Sequence, residues 1–370
     1  MSTTLEAGDG APDGPLAGFT RIRETAEAFM DKRDLAGDGW HEEAVTAVAV
    51  IEGRPEVDVV EFSRNQEGRG PNALGADYLW WWIDGDTEEC FGMLVQAKRL
   101  KRSPGGDWLV DVTHREGKQL GDLIRTSEEL GVPAVYAVYT GGLVFRDQLP
   151  CPHSAEACPG PDSATHPEPA EECLPCRRMT ISMATAYQLR QGWYDPKMTA
   201  DLVVSESIPV EDLVDPAVPS PPVWDLNLDK LRDPRLRDFL LKPQGGSREI
   251  ARRIFRLVSD HRRGAFSADV AEVLPFPGAP LFTDVPEDRG HFPGPYYRHV
   301  LQGLRVSPPA YLEALRRPPR LDELVWDPDS TSSDGTIGRM TAANNPFSAK
   351  RRPPPELEGT NIAGVVLVTL

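Results

Sequence analysis

No apolar run in this 370-residue sequence is long enough to cross a bilayer, and the N-terminus lacks the apolar core of a secretory signal. Residues 1–18 are instead polar and rich in Gly and Pro, which reads as a disordered lead-in, with the cytoplasm as the default location. Positive charge is scarce. Against 57 Asp and Glu stand 40 Lys and Arg, a net charge of −17. That argues against a broad, nonspecific coat for nucleic acid and leaves room for a local basic groove. There is no GxxxxGK[ST] loop for a nucleoside triphosphate and no GxSxG elbow. His41, His114, His153 and His166 stand in no recognisable pairing with a nucleophile. Cysteine is sparse as well, with five in all, four of them between 151 and 176. Without a secretory signal this grouping suggests metal binding over disulfides.

What is present begins with an amphipathic helix over residues 19–35, in which Ile22, Ala26, Phe29 and Met30 recur at helical spacing. A second helix is expected over Trp40–Ile51, with Glu42 and Glu43 in a first turn that favours acidic side chains. Residues 57–62 suit a strand. Aromatic and aliphatic residues fill 78–83 and 91–95 around the turn Asp84-Gly85-Asp86, which reads as a β-hairpin. Trp80, Trp81 and Trp82 read as core packing, with base stacking as the alternative. A short strand over 108–113, a helix over Lys118–Leu130 and a buried strand over Ala134–Tyr139 follow. Residues 180–191 are expected to return to helix, 246–263 to form a basic helix, and Ile362–Leu370 to form an apolar strand paired with a sheet. The order of elements gives a mixed α/β class.

The basic clusters Arg177-Arg178, Arg252-Arg253-Arg256 and Arg262-Arg263 read as solvated faces. Lys98-Arg99-Lys101-Arg102 differs because it abuts the hairpin. Strand residues two apart share a face, so Gln96 and Lys98 do. If the turn is symmetric about Asp86 and Thr87, position 77 lies opposite position 96, and Asp77, Gln96 and Lys98 converge at the hairpin's open end. A one-residue slip would undo this. The three also admit a purely structural reading, in which Asp77 and Lys98 satisfy each other.

The strings Gly75-Ala76-Asp77 and Val95-Gln96-Ala97-Lys98-Arg99-Leu100, separated by a hairpin, resemble the PD-(D/E)XK restriction-endonuclease-like superfamily. They are similar in particular to Mrr-like members, where QxK replaces (D/E)xK. The wider pattern, continued by Gln119-Leu120 and Gly131-Val132-Pro133, also resembles a family of uncharacterised bacterial proteins with this presumed fold. The resemblance covers roughly residues 40–190. It implies an α/β restriction-endonuclease-like core, a central mixed sheet flanked by helices, and a Mg²⁺-dependent endonuclease acting on DNA, with a role in bacterial defence. Carried over by position, Asp77 would bind Mg²⁺ (or Mn²⁺), Gln96 would ligate through its amide oxygen, and Lys98 would orient the water or stabilise the transition state. Gln96 leaves the site one negative charge short. Glu43 matches the helix glutamate of many superfamily members and would compensate, with Glu42 and Glu67 as fallbacks. Gln119, Arg99, Lys101 and Arg177 are candidates for contacting the substrate.

Cys151, Cys158, Cys173 and Cys176 lie in a Pro-rich insertion, 150–178, and form a candidate structural Zn²⁺ site, with His153 as a substitute ligand. The organisation expected is a lead-in (1–18), a nuclease-like core (19–200) containing the zinc loop, and a helical, Pro-rich extension (201–370) ending in the strand 362–370. The competing reading is a catalytically inactive scaffold or nucleic-acid-binding module. A protein partner recruited through the Pro-rich half and a homodimer are both open.

Overall fold

The structure, a computed structural model, describes residues 14–62, 77–103, 105–112, 118–141, 174–186, 197–199, 207–219, 244–261, 303–325, 350–360 and 362–370; at Glu43 and Asp77 the description is of the backbone. Helix α1 (Pro15–Leu35) starts on Pro15, whose fixed φ suits a first turn, and ends with Lys32 and Arg33, which complement the helix dipole. Its buried stripe is Phe19, Ile22, Ala26 and Met30. Phe19 stacks on both Trp80 and Trp82, with ring centroids 5.9 and 5.4 Å apart. Helix α2 (Glu42–Ala49) is shorter than the sequence suggests, because Val50–Gly53 tightens into a 3₁₀ turn.

Strands β1 (Val57–Glu61), β2 (Asp77–Ile83), β3 (Cys90–Arg102), β4 (Trp108–Asp111) and β5 (Ala134–Tyr139) follow, with helix α3 (Lys118–Leu130) between β4 and β5. After them come α4 (Leu174–Arg178), β6 (Ile181–Thr185), β7 (Lys197–Thr199), β8 (Ile208–Pro209), α5 (Gly246–His261), β9 (Leu304–Arg305), α6 (Ala310–Arg316), β10 (Leu324–Val325), β11 (Lys350–Arg351) and β12 (Gly364–Thr369). Among the described residues one mixed sheet has the order β1-β12-β2-β3-β5-β6-β8, with β4 and β9 also on β3 and β7 on β4. β3 runs antiparallel to β2 and parallel to β5. β10 and β11 form a separate pair.

The hairpin turn fixes the register. Asp84 Oδ1 accepts from the backbone N–H of Asp86 (3.0 Å) and of Thr87 (2.8 Å). Burial pushes the Asp84 carboxyl up, but the Thr87 and Asp86 hydrogen bonds outweigh it and hold its pKa below the ordinary value. Ile83 then pairs with Cys90, and Asp77 with Gln96, as symmetry about Asp86 and Thr87 requires. Cross-strand from Trp81 is Gly92, where a Cβ would stand 2.7 Å from the indole ring. The missing side chain there lets the ring lie flat over its neighbour.

Strand alternation separates two cores. On one face Trp80, Trp82, Met93, Val95, Val366 and Val368 pack with α1, α2 and α5. On the other, Leu79, Trp81, Leu94, Tyr136, Val365 and Leu367 pack with α3 and α6.

Two expectations are corrected. The segment from 180 is strand β6, not helix. All five of its residues are buried, and it pairs antiparallel with β5. Ile-Ser-Met-Ala-Thr has little helix preference, and a short run buried on both faces shows no alternation to read. Arg252 and Arg253 are buried on α5 and are not a solvated face. Arg253 donates to the carbonyls of Asp212, Asp215 (3.2 Å) and Val218 (2.8 Å), closing the end of the 3₁₀ turn Glu211–Leu213.

The described parts of the chain beyond residue 200 enter the same sheet. β8 pairs with β6, β9 with β3, and β12 lies between β1 and β2, antiparallel to the first and parallel to the second. Gly364 permits the insertion, since a Cβ there would stand 2.5 Å from the Val60 carbonyl oxygen. Among the described residues no helix is long and apolar enough to cross a membrane.

Candidate functional site

β3 changes partners along its length. It pairs with β2 as far as Gln96 and with β4 from Leu100, so residues 97–99 have no strand on that side among the described residues. On the other side it stays laddered to β5, with Gln96 beside Tyr136 and Lys98 beside Val138. The gap falls where the sequence places its polar triplet. A strand that exchanges partners leaves a notch in the sheet without breaking its hydrogen bonding on the opposite side.

Gln96 is buried, and Lys98 is only 6% exposed. Both share the parity of Leu94 and Leu100, the face that α3 covers. Position 77 has the parity of Leu79 and Trp81, the same face, and is the residue registered opposite Gln96. The Lys98 ammonium donates to Gln119 Oε1 across 2.6 Å and lies 5.9 Å over the ring of Tyr136. Gln119 stands in the first turn of α3, so the contact links β3 to the helix that covers it.

The other candidates divide. Arg99, one residue from Lys98, has the opposite parity. It donates to the Trp40 carbonyl, lies over the Trp40 ring and pairs with Glu42 at 3.7 Å. Those contacts tie β3 to α2 on the other face of the sheet. Lys101 is exposed, further along β3. The Glu43 side chain and the whole of Glu67 lie outside the described residues. Arg177 pairs with Glu27 on α1 at 3.3 Å. Of the cysteine set, Cys151, Cys158 and Cys173, with His153, lie outside the described residues, while Cys176 is buried in α4. Among the described residues no three His, Cys, Asp or Glu side chains come together as a metal-binding group.

Sequence reasoning gave no sign of a buried ionic network beside α4. Arg23 donates to Glu211 and Glu27, each at 3.0 Å. Thr20 donates to Glu211 (2.8 Å) and Thr180 to Glu27 (2.9 Å). Arg178 bridges Asp212 and Asp215, each at 2.8 Å. The network staples α1, α4 and the turn at 211–215 together. Arg23 sits one helical turn from Glu27, but its second acid is 188 residues away, so spacing along the chain could not reveal it.

The fold and this constellation describe an α/β protein with a mixed sheet flanked by helices, carrying a polar cluster where its longest strand changes partners. The chain belongs to DUF6615, a family of unknown function that it matches over residues 19–321. No curated protein and no solved structure matches it.

Proposed function

We propose that this chain is a metal-dependent nuclease that hydrolyses DNA phosphodiester bonds. The observation that carries the reading is the register. Asp77 is paired with Gln96, and Lys98 follows two residues on, where β3 leaves β2. A buried lysine on a sheet is costly, and its placement beside an aspartate and two amides at one notch supports a catalytic role. The donor set fits a hard cation, since a carboxylate and an amide carbonyl are the oxygen ligands that Mg²⁺ and Mn²⁺ take.

Asp77 and Gln96 would hold the ion, with Glu43 as the further acid. Bound there, the metal would supply Lewis-acid polarisation of the scissile phosphate. Lys98 would donate to a non-bridging oxygen as negative charge builds, or orient the attacking water; its ammonium has donors only. The first turn of α3 adds a mild preference for anions. A structural Zn²⁺ held by Cys151, Cys158, Cys173 and Cys176, with His153 as substitute, belongs to the same proposal. Elemental analysis of the purified chain tests it.

A second reading is supported by Gln96 itself. An amide where most such sites have a carboxylate fits a fold kept for binding nucleic acid after catalysis was lost. The discriminating experiment is plasmid cleavage with Mg²⁺ or Mn²⁺ by wild type, Lys98→Ala and Asp77→Ala, with metal binding measured by calorimetry. Cleavage lost in both folded variants supports the nuclease. An inactive wild type without Asp77-dependent metal binding leaves the scaffold.

A further inference from the structure

We propose that Tyr136 is a positioning residue for Lys98, fixing its ammonium where the incoming phosphate is met; the functional consequence rests on the nuclease reading above. Lysine is a compact charge on a flexible four-carbon stem, with about 2 kcal/mol of rotamer entropy. One hydrogen bond to Gln119 sets a distance but leaves the ammonium free to swing about the amide oxygen. The ring of Tyr136, 5.9 Å from Nζ, adds the second constraint.

The platform itself is rigid. Tyr136 is completely buried in β5, with Gln96 as its register partner across the ladder. Side chains so enclosed sit in single rotamers. The ring therefore spans the two positions that the site depends on, Gln96 beside it in the ladder and Lys98 over its face. Both constraints are also uncharged. A carboxylate in either place would hold Lys98 equally well but cancel the charge that a phosphate needs. A ring face and an amide oxygen favour the ammonium and leave its charge intact.

The test uses the full chain labelled with ¹³C,¹⁵N-lysine, the Lys98 signals being assigned by their loss in Lys98→Arg. In wild type we expect cross-relaxation between the Lys98 Hε protons and the Tyr136 ring, and a ring-current displacement of the Lys98 Cε–Hε signal. Tyr136→Phe should keep both. Tyr136→Leu should abolish the displacement and, where wild type cuts DNA, lower kcat roughly tenfold with little change in KM, the signature of misplacement and not of lost binding. Should Tyr136→Leu fail to fold, the wild-type cross-relaxation decides alone. Its absence, or a Lys98 signal indifferent to Tyr136→Leu, overturns the positioning role whatever the activity. A Lys98 signal that behaves as expected in a protein that cuts nothing supports the positioning role and counts against the nuclease reading alone.

Discussion

Lys98 Nζ donates to Gln119 Oε1 across 2.6 Å, so a strand and the helix above it meet through one charged hydrogen bond inside the protein. Bonds of this kind are worth more than neutral ones, and losing the acceptor leaves a buried charge less well satisfied. Gln119→Leu is expected to destabilise the fold by about 1–3 kcal/mol in urea unfolding. Gln119→Glu, which restores an acceptor, should recover most of that stability. If the leucine variant is as stable as wild type, the contact carries no weight.

β12 offers a sharper test of architecture. It sits between β1 and β2, and Val366 pairs with Val59 on one side and Trp80 on the other. Deleting residues 362–370 would open both ladders and uncover the Trp80 and Trp82 face. The expected result is loss of a cooperative thermal transition. Val366→Ala, which only opens a cavity, should cost about 2 kcal/mol.

Arg23 supports two buried acids. Arg23→Ala is expected to cost about 3–5 kcal/mol, because Glu27 and Glu211 would each keep a buried charge without this partner. Replacing Arg23 by Met together with Glu27 and Glu211 by Gln should recover a large part of the loss. Chemical denaturation of the single and triple variants reads this directly. Equal stability of Arg23→Ala and wild type would show that the network is dispensable.

Glu323 provides a pH signature. The hydrogen bond from Arg317, aided by the Arg320 N–H and the charge of Arg351, holds its carboxyl at about 2. Its folded pKa lies below the unfolded value of about 4.3. Its contribution is therefore fully present above that value and is lost as pH falls from about 4 toward 2. The Glu323 carboxylate carbon should titrate near 2 by NMR. Glu323→Gln should flatten the fall in stability across the same window.

Much of the site's frame was legible in the sequence. The alternation of Tyr78–Ile83 and Phe91–Val95 around an Asp-Gly-Asp turn is a local signal, and the turn symmetry that places Asp77 opposite Gln96 follows from it. Helix α3 and strand β5 were legible with their ends, because Gly131-Val132-Pro133 stops one and begins the other. The partner of Gln119 was not legible. A glutamine on a helix gives no sign of which distant side chain its amide will meet.

The sequence by itself determined the α/β class, the hairpin and its register, since these depend on side-chain period and turn chemistry acting over a few residues. Only the tertiary structure decided that Ile181–Thr185 is a strand, that Arg252 and Arg253 are buried, and that Gly364–Thr369 joins the sheet between β1 and β2. Each of these depends on a partner far along the chain. β5 offers β6 an open edge, the carbonyls at 212–218 take up Arg253, and β1 and β2 leave one strand's width between them. The free energy of a ladder or a buried ion pair belongs to both partners, so neither segment carries the signal alone.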